Sequence, residues 1–232
     1  VPTRDIRMAD AWELTIAYDS EGNQGFQTGW GFSAVVSRGG RMVLFDCGWD
    51  GHMLRYNLGR MGISFAEIDK VVISHAHWDH LSGLTEVMSE PMRSDDLEVF
   101  VPAAFSDNLK KEISRKAQLR EVDGPTEIIP GVISTGQLGD PLKEQSLVIV
   151  DGDKGVVLTG CAHPGLGVIL ARAREFARPS WLVGGLHGAK TAYLPADLDR
   201  LILCHCTREK AEMMSAFPGK ASIGRVGDKY RP

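Results

Sequence analysis

Apolar residues fall along this chain in short runs rather than in long amphipathic stretches. W-E-L-T-I-A-Y at 12–18, F-S-A-V-V-S at 32–37, M-V-L-F-D at 42–46 and K-V-V-I-S at 70–74 predict an early group of strands. The second and third are joined by R-G-G-R, whose paired glycines suit a tight hairpin. Later runs at 97–101, 131–135, 146–150, 155–160, 181–185 and 201–204 read the same way, and D-G-D-K-G at 151–155 predicts another hairpin. Helical spacing appears between them: Leu54, Leu58 and Met61; Leu109, Ile113 and Ala117 behind a Ser106 cap; Leu166, Ile169, Leu170, Ala173 and Ala177. A last helix is expected from Thr207 to about Ala216. Hairpins early and strand–helix alternation later predict α/β sheets covered by helices on their outer faces. No linker, repeat or composition break divides the chain, so residues 1–232 read as a single domain.

Composition narrows the classes. With 43% apolar and 24% charged residues, the chain has material for one α/β core. A net charge of −4 provides no global basic field, which disfavours nucleic acid as a partner and favours a small-molecule substrate. Four cysteines, at 47, 161, 204 and 206, are too few and too unevenly placed for a disulfide framework, and they fit a reducing cytoplasm. The first ten residues, V-P-T-R-D-I-R-M-A-D, lack a signal-peptide core, and no run approaches the ~18 apolar residues of a membrane span. A soluble, cytoplasmic protein with no membrane partner is expected; its oligomeric state is not legible. Gly-rich pieces such as H-P-G-L-G lack a P-loop lysine, and there is no dinucleotide fingerprint. The basic stretch Lys110 to Arg120 reads as a solvated helix face.

The chemistry concentrates in residues 75–80, H-A-H-W-D-H, directly after the apolar V-V-I-S. A strand ending at Ser74 would deliver them into a tight loop at the sheet edge, followed by a short helix through Leu81, Leu84 and Val87. Strand carboxyl ends are where α/β proteins commonly build sites. Neutral imidazole ligates zinc or iron, and a carboxylate adds charge and can reach a second ion. One loop can therefore serve two neighbouring metals.

H-A-H-W-D-H resembles the H-x-H-x-D-H signature of the metallo-β-lactamase fold superfamily, and L-F-D-C-G at 44–48 resembles its strand-end D-x-G element. The resemblance extends from about Phe32 to Gly227 and implies an αβ/βα sandwich with one or two metals at the edge between the sheets. It implies that His75 and His77 bind a first metal, that Asp79 and His80 bind a second, and that Asp46 steadies the ligand loop. His205, in L-I-L-C-H-C-T after an apolar strand, matches the superfamily's final histidine ligand at the second metal.

One region departs from the pattern. D-P-L-K-E-Q-S offers no histidine where many members have one, and T-G-C-A-H at 159–163 has Cys161 roughly where a bridging aspartate would fall. His163 is expected to complete the first metal's three-histidine set. Cys161 either bridges the ions or packs as an inert thiol, and Glu144 is a remote candidate for the vacated ligand position. T-G-C-A-H-P-G, G-G-L-H at 184–187 and H-C-T at 205–207 resemble the dihydropterin ribofuranosyl-aminobenzene phosphate synthase-like metallohydrolases, with Leu186 in place of a phenylalanine and Arg208 in place of a glycine. His187 is a candidate proton donor or substrate anchor, or a structural histidine; Trp78 lines a pocket or packs; His52 reads as surface.

The expected function is hydrolysis at a dinuclear site, with metal-bound hydroxide attacking a small-molecule ester, lactone, thioester or phosphoester. Asp79 and His187 are the expected catalytic residues. The cofactors are two divalent ions, zinc first, with manganese or iron next. An iron-dependent redox enzyme and a metabolite-binding module with little turnover are the competing classes.

Overall fold

A computed structural model describes residues 11–89 and 97–231; the signal-peptide reading of residues 1–10 lies outside the described residues. The chain runs through two similar halves. In the first, β1 (Trp12–Tyr18), β2 (Ser33–Arg38) and β3 (Arg41–Phe45) form an antiparallel meander, and β4 (Lys70–Val72), β5 (Glu98–Pro102) and β6 (Gln118–Val122) continue it in parallel. In the second, β7 (Thr126–Ile129), β8 (Val132–Ser134), β9 (Leu147–Asp151) and β10 (Lys154–Thr159) are antiparallel, and β11 (Arg178–Gly185), β12 (Arg200–Cys204) and β13 (Ala221–Ile223) follow in parallel. The short β14 (Lys229–Tyr230) returns to pair with β1, so each sheet has seven strands.

Helices make the parallel crossovers. They are α1 (Gly51–Arg60), α2 (Trp78–Leu81), α3 (Leu84–Val87) and α4 (Asp107–Ser114) in the first half, and α5 (Leu166–Ala173) and α6 (Lys210–Ala216) in the second. One apolar core lies between the sheets and draws on both: Leu14, Ile16, Phe45 and Val72 from the first; Leu147, Leu158, Val183 and Ile202 from the second. A second core fills the space between the first sheet and its helices, with Leu54, Leu58, Val71 and Ile113. A third does the same for the second sheet, with Ile169, Leu170, Leu182 and Met213. The result is the expected αβ/βα sandwich. Among the described residues no helix is long and apolar enough to cross a membrane.

Local chemistry explains most elements. Gly39 and Gly40, at φ 59° and 76°, close the β2–β3 hairpin in the left-handed region that the R-G-G-R reading required. The Asp50 carboxylate caps α1 by accepting from the backbone N–H of His52 and Met53, and Ser106 caps α4 by accepting from Leu109 N–H.

Several expectations need correction. β4 ends at Val72 rather than Ser74 and lies between β3 and β5, so H-A-H-W-D-H follows the carboxyl end of an interior strand. Asp79 and His80 sit in the helical turn α2 rather than in a loop, and the single helix expected after them is split into α2 and α3. The last helix begins at Lys210, not Thr207, because Thr207 Oγ1 donates to Cys204 O and Arg208 N–H to His187 O, holding these residues against the strand ends. Strands β6, β7, β13 and β14 escaped the reading; β6, an edge strand with Gln118, Arg120 and Glu121 exposed, has no apolar alternation to reveal it.

Two glycines test how the sandwich closes. A Cβ on Gly160 would sit 2.3 Å from Ser74 Oγ and 3.2 Å from Asp46 Oδ2, where the two halves touch, whereas one on the exposed helical Gly59 would meet nothing within 4 Å. Gly160→Ala is expected to destabilise by about 1–3 kcal/mol through overpacking. Gly59→Ala should stabilise by about 0.5–1 kcal/mol. Urea unfolding midpoints check both; equal shifts would refute the contact.

Candidate metal centre

Parallel strands aligned in each half send their carboxyl ends to one edge of the sandwich. From the first half come Asp46 after β3 and Ser74 to His80 after β4; from the second come Cys161 and His163 after β10, His187 after β11 and His205 after β12. Four non-glycine residues among those described have left-handed backbones: Asp46 (φ 57°), Ala162 (φ 59°), His187 (φ 45°) and His205 (φ 42°). All four are at this edge. Such strain persists only where the surroundings hold it, and it turns each chain abruptly off its strand so that side chains converge.

Asp46 is fully buried and organises the first half. Its Oδ1 accepts from Ser74 N–H at 2.6 Å, and its Oδ2 accepts from Ser74 Oγ at 2.7 Å and contacts His80 Nδ1 at 2.7 Å. A carboxylate only accepts, so His80 Nδ1 carries the proton and Nε2 keeps its lone pair. Ser74 spends its one O–H on Asp46, so its contact with His75 Nδ1 at 2.8 Å must be a bond that the ring donates. His75 Nε2 is thereby also left with a lone pair, and it faces His77 Nδ1 at 3.0 Å.

The second half is held by two other carboxylates. Glu144, fully buried, accepts from the backbone N–H of Cys161 and Ala162 on Oε1 and of His163 on Oε2, each at 2.9 Å. Both of its oxygens thus anchor the loop that carries Cys161 and His163. Buried Asp19 accepts from His205 N–H at 2.8 Å and fixes that strained residue. Neither Asp19 nor the partner of Glu144 was legible beforehand, because both act through backbone groups.

The predicted ligands meet. His75, Cys161 and His163 present donor atoms within 4.8 Å of one another, and so do His80, Cys161 and His205; the two groups share the Cys161 sulfur. Asp79 Oδ2 is 3.2 Å from His205 Nε2 and 3.9 Å from His80 Nε2. The rings of His77 and His163 are 4.9 Å apart. His163 Nε2 and His205 Nδ1 are buried without a hydrogen-bond partner, and His205 Nε2 faces the Asp79 carboxylate. Buried polar atoms are rarely left so, and lone pairs converging from several imidazoles, a thiol and a carboxylate are what divalent cations bind. The donor set fits a divalent metal centre.

Electrostatics agree. His75 is pushed far below the usual imidazole range by burial and by the neighbouring histidines, and burial together with His77 and His187 lowers His163 to about 4. Both rings are neutral, as ligation requires. Burial alone would lower His80 as well, but Asp46 outweighs it and the net shift is upward. Burial opposes ionisation of Asp79, yet His205 and His80 prevail and hold its carboxyl at about 2. Cys206 Sγ donates to Cys161 Sγ at 3.2 Å, so the two thiols sit as a pair beside the imidazoles.

On the His163 side of the cluster lies a cavity of about 310 Å³ lined by His163, His187, Leu166, Leu186 and Tyr193. His187 stands with its ring 5.1 Å from that of His163. Trp30 packs against His205 with ring centroids 4.7 Å apart, a neighbour the reading missed, and Trp78 is 67% exposed rather than packed. His52 is on the surface, as expected.

The beta-lactamase superfamily domain profile matches residues 41–177, more than half of the chain. An uncharacterised protein of Methanocaldococcus jannaschii is 25% identical over 92% of this chain and 98% of its own length. The same organism's 7,8-dihydropterin-6-methyl-4-(beta-D-ribofuranosyl)-aminobenzene-5'-phosphate synthase is 23% identical over 91% of this chain and 92% of its own. A crystal structure of a metal-dependent hydrolase of the beta-lactamase superfamily superposes with a TM-score of 0.76 at 24% identity, covering 94% of this chain and 98% of that one. The sandwich, its converging strand ends and the profile agree: the chain belongs to the beta-lactamase superfamily domain family and has the metallo-β-lactamase fold.

Proposed function

We propose that the protein is a dinuclear metallohydrolase that cleaves an ester, lactone, thioester or phosphoester bond in a small molecule. The observation carrying this reading is the pair of adjacent donor groups, drawn from both halves, with the buried His163 Nε2 left without a hydrogen-bond partner. In this reading His75, His77 and His163 hold one cation, and Asp79, His80 and His205 hold the other. Zinc is the first choice, with manganese or iron next. When bound, the cations supply Lewis acidity, lowering the pKa of water from 15.7 toward about 7 and offsetting charge that develops on the substrate.

The chain's own residues do the rest. Asp46 keeps the lone pairs of His75 and His80 turned into the site, so no rearrangement is needed on loading. Asp79 stays ionised at neutral pH and, half-buried at the cluster, orients the attacking water by accepting its hydrogen bond. His187, on the cavity wall, donates a proton to the leaving group. The cavity volume suits a small ligand, in keeping with the net charge of −4 that offers polyanions no general attraction.

Metal analysis and a hydrolysis panel test this together. Two divalent ions per chain and chelator-sensitive turnover are expected. His163→Ala and His205→Ala should each lose metal, whereas His187→Ala should keep both ions and lower kcat by roughly 10²–10⁴-fold. Stoichiometric metal with no turnover on any of the four bond types would refute the enzyme reading.

A pH effect follows from His163. Its folded pKa of about 4 lies below the unfolded value of about 6.5, so protonation favours the unfolded chain. The stability it contributes is complete above about pH 6.5 and is lost as the pH falls toward 4. Metal-free wild type should therefore lose stability over that window relative to metal-free His163→Gln, a difference that cancels the other titrating groups. Parallel melting curves for the two proteins would contradict the assignment.

A further inference from the structure

Both donor groups contain the same atom. Cys161 Sγ lies within 4.8 Å of the His75 and His163 nitrogens in one group and of the His80 and His205 nitrogens in the other. Among the described residues no carboxylate belongs to both groups: Asp79 lies beside His205 and His80, Glu144 is engaged by three backbone N–H groups, and Asp46 by Ser74 and His80. We propose that Cys161 is a thiolate ligand shared by the two metal ions, which makes the centre a soft one, suited to zinc, iron(II) or cobalt(II) over manganese or magnesium. This deepens the dinuclear reading above and rests on it.

Three further observations point to the sulfur. The His80 ring, with Nδ1 bound to Asp46, turns Nε2 onto Cys161 Sγ at 3.3 Å inside a fully buried setting. His163, whose buried Nε2 has no hydrogen-bond partner, and His205, whose Nδ1 has none, belong to the two groups that contain this same sulfur. The backbone is built to aim it: Glu144 grips the N–H groups of residues 161–163, and Ala162 is left-handed at φ 59°. An inert packing thiol needs none of this.

Loading breaks the Cys161 S–H bond, releases that proton to solvent and forms sulfur–metal bonds, with no change of oxidation state. The thiolate brings the same single negative charge as an aspartate at that position, but it is a softer donor, which favours zinc-like ions. Cys206 Sγ, 3.2 Å from Cys161 Sγ and in neither donor group, donates a hydrogen bond to the bridging sulfur and moderates its charge.

The test is anaerobic loading of the metal-free full chain with cobalt(II), read by metal content and absorption. Wild type should bind two cobalt ions with an intense near-ultraviolet thiolate-to-cobalt charge-transfer band. Cys161→Ser and Cys161→Ala should lose the band. Cys161→Asp should lose it too while keeping two ions, because a bridging anion remains, and Cys206→Ala should retain it. Two bound ions without the band in wild type, or a band that survives Cys161→Ala and disappears in Cys206→Ala, would overturn the proposal. Failure to take up any cobalt would remove the dinuclear reading as well, whereas a cobalt protein with the band and no hydrolytic turnover would remove only the hydrolase.

Discussion

The site depends on one buried carboxylate. Asp46 faces both Ser74 and His80, and its acceptor-only chemistry fixes where their protons sit. It takes the His80 Nδ1 proton directly and, by claiming the Ser74 hydroxyl, obliges His75 to donate through Nδ1 as well. Two ring tautomers from one short segment are thus set by a single side chain on the neighbouring strand. Without it, His75 and His80 could each turn a protonated nitrogen toward the cluster, and a protonated nitrogen cannot ligate. Buried as it is, Asp46 would be expensive to leave unpaired, so the two strand ends and the carboxylate require one another.

The same logic recurs in the second half with different means. Glu144 grips a turn through three N–H groups, and Asp19 grips the His205 backbone, each holding a left-handed residue that would otherwise relax. Backbone strain of order 1–3 kcal/mol per residue at four positions is sustained because the sheets behind are packed on both faces. The sandwich provides rigidity, and the strand ends use it to aim side chains.

What could be read in the sequence follows from how each residue acts. Strands β1 to β5 and β8 to β12 announced themselves through apolar runs between turn residues, and the histidines of H-A-H-W-D-H through sheer density of ligand chemistry. Asp46 was legible because it sits two residues before Gly48 in a recognisable strand-end pattern. Edge strands such as β6 and β14 carry no such pattern, since half-exposed edges tolerate polar residues. The roles of Asp19 and Glu144 were hidden for a different reason: a carboxylate that binds backbone N–H groups across 186 or 17 positions of sequence leaves no mark on the residues it binds. Cys206 next to Cys161 is a pairing that only the parallel alignment of β10, β11 and β12 creates.

The departures in T-G-C-A-H and D-P-L-K-E-Q-S are coherent with each other. The segment before β9 has no histidine, and His163 brings an imidazole to the cluster from beyond β10, as the proposed dinuclear reading requires. To reach the His75 and His77 rings from there, the chain must double back within two residues of Cys161, which is what the left-handed Ala162 does. A turn this tight points three successive N–H groups the same way, and such a nest attracts an anion. Glu144, from the very segment that lacks the histidine, is that anion. The acidic side chain of that segment thus stabilises the loop that carries Cys161 and His163, and the sulfur at the start of that loop is the atom common to both donor groups.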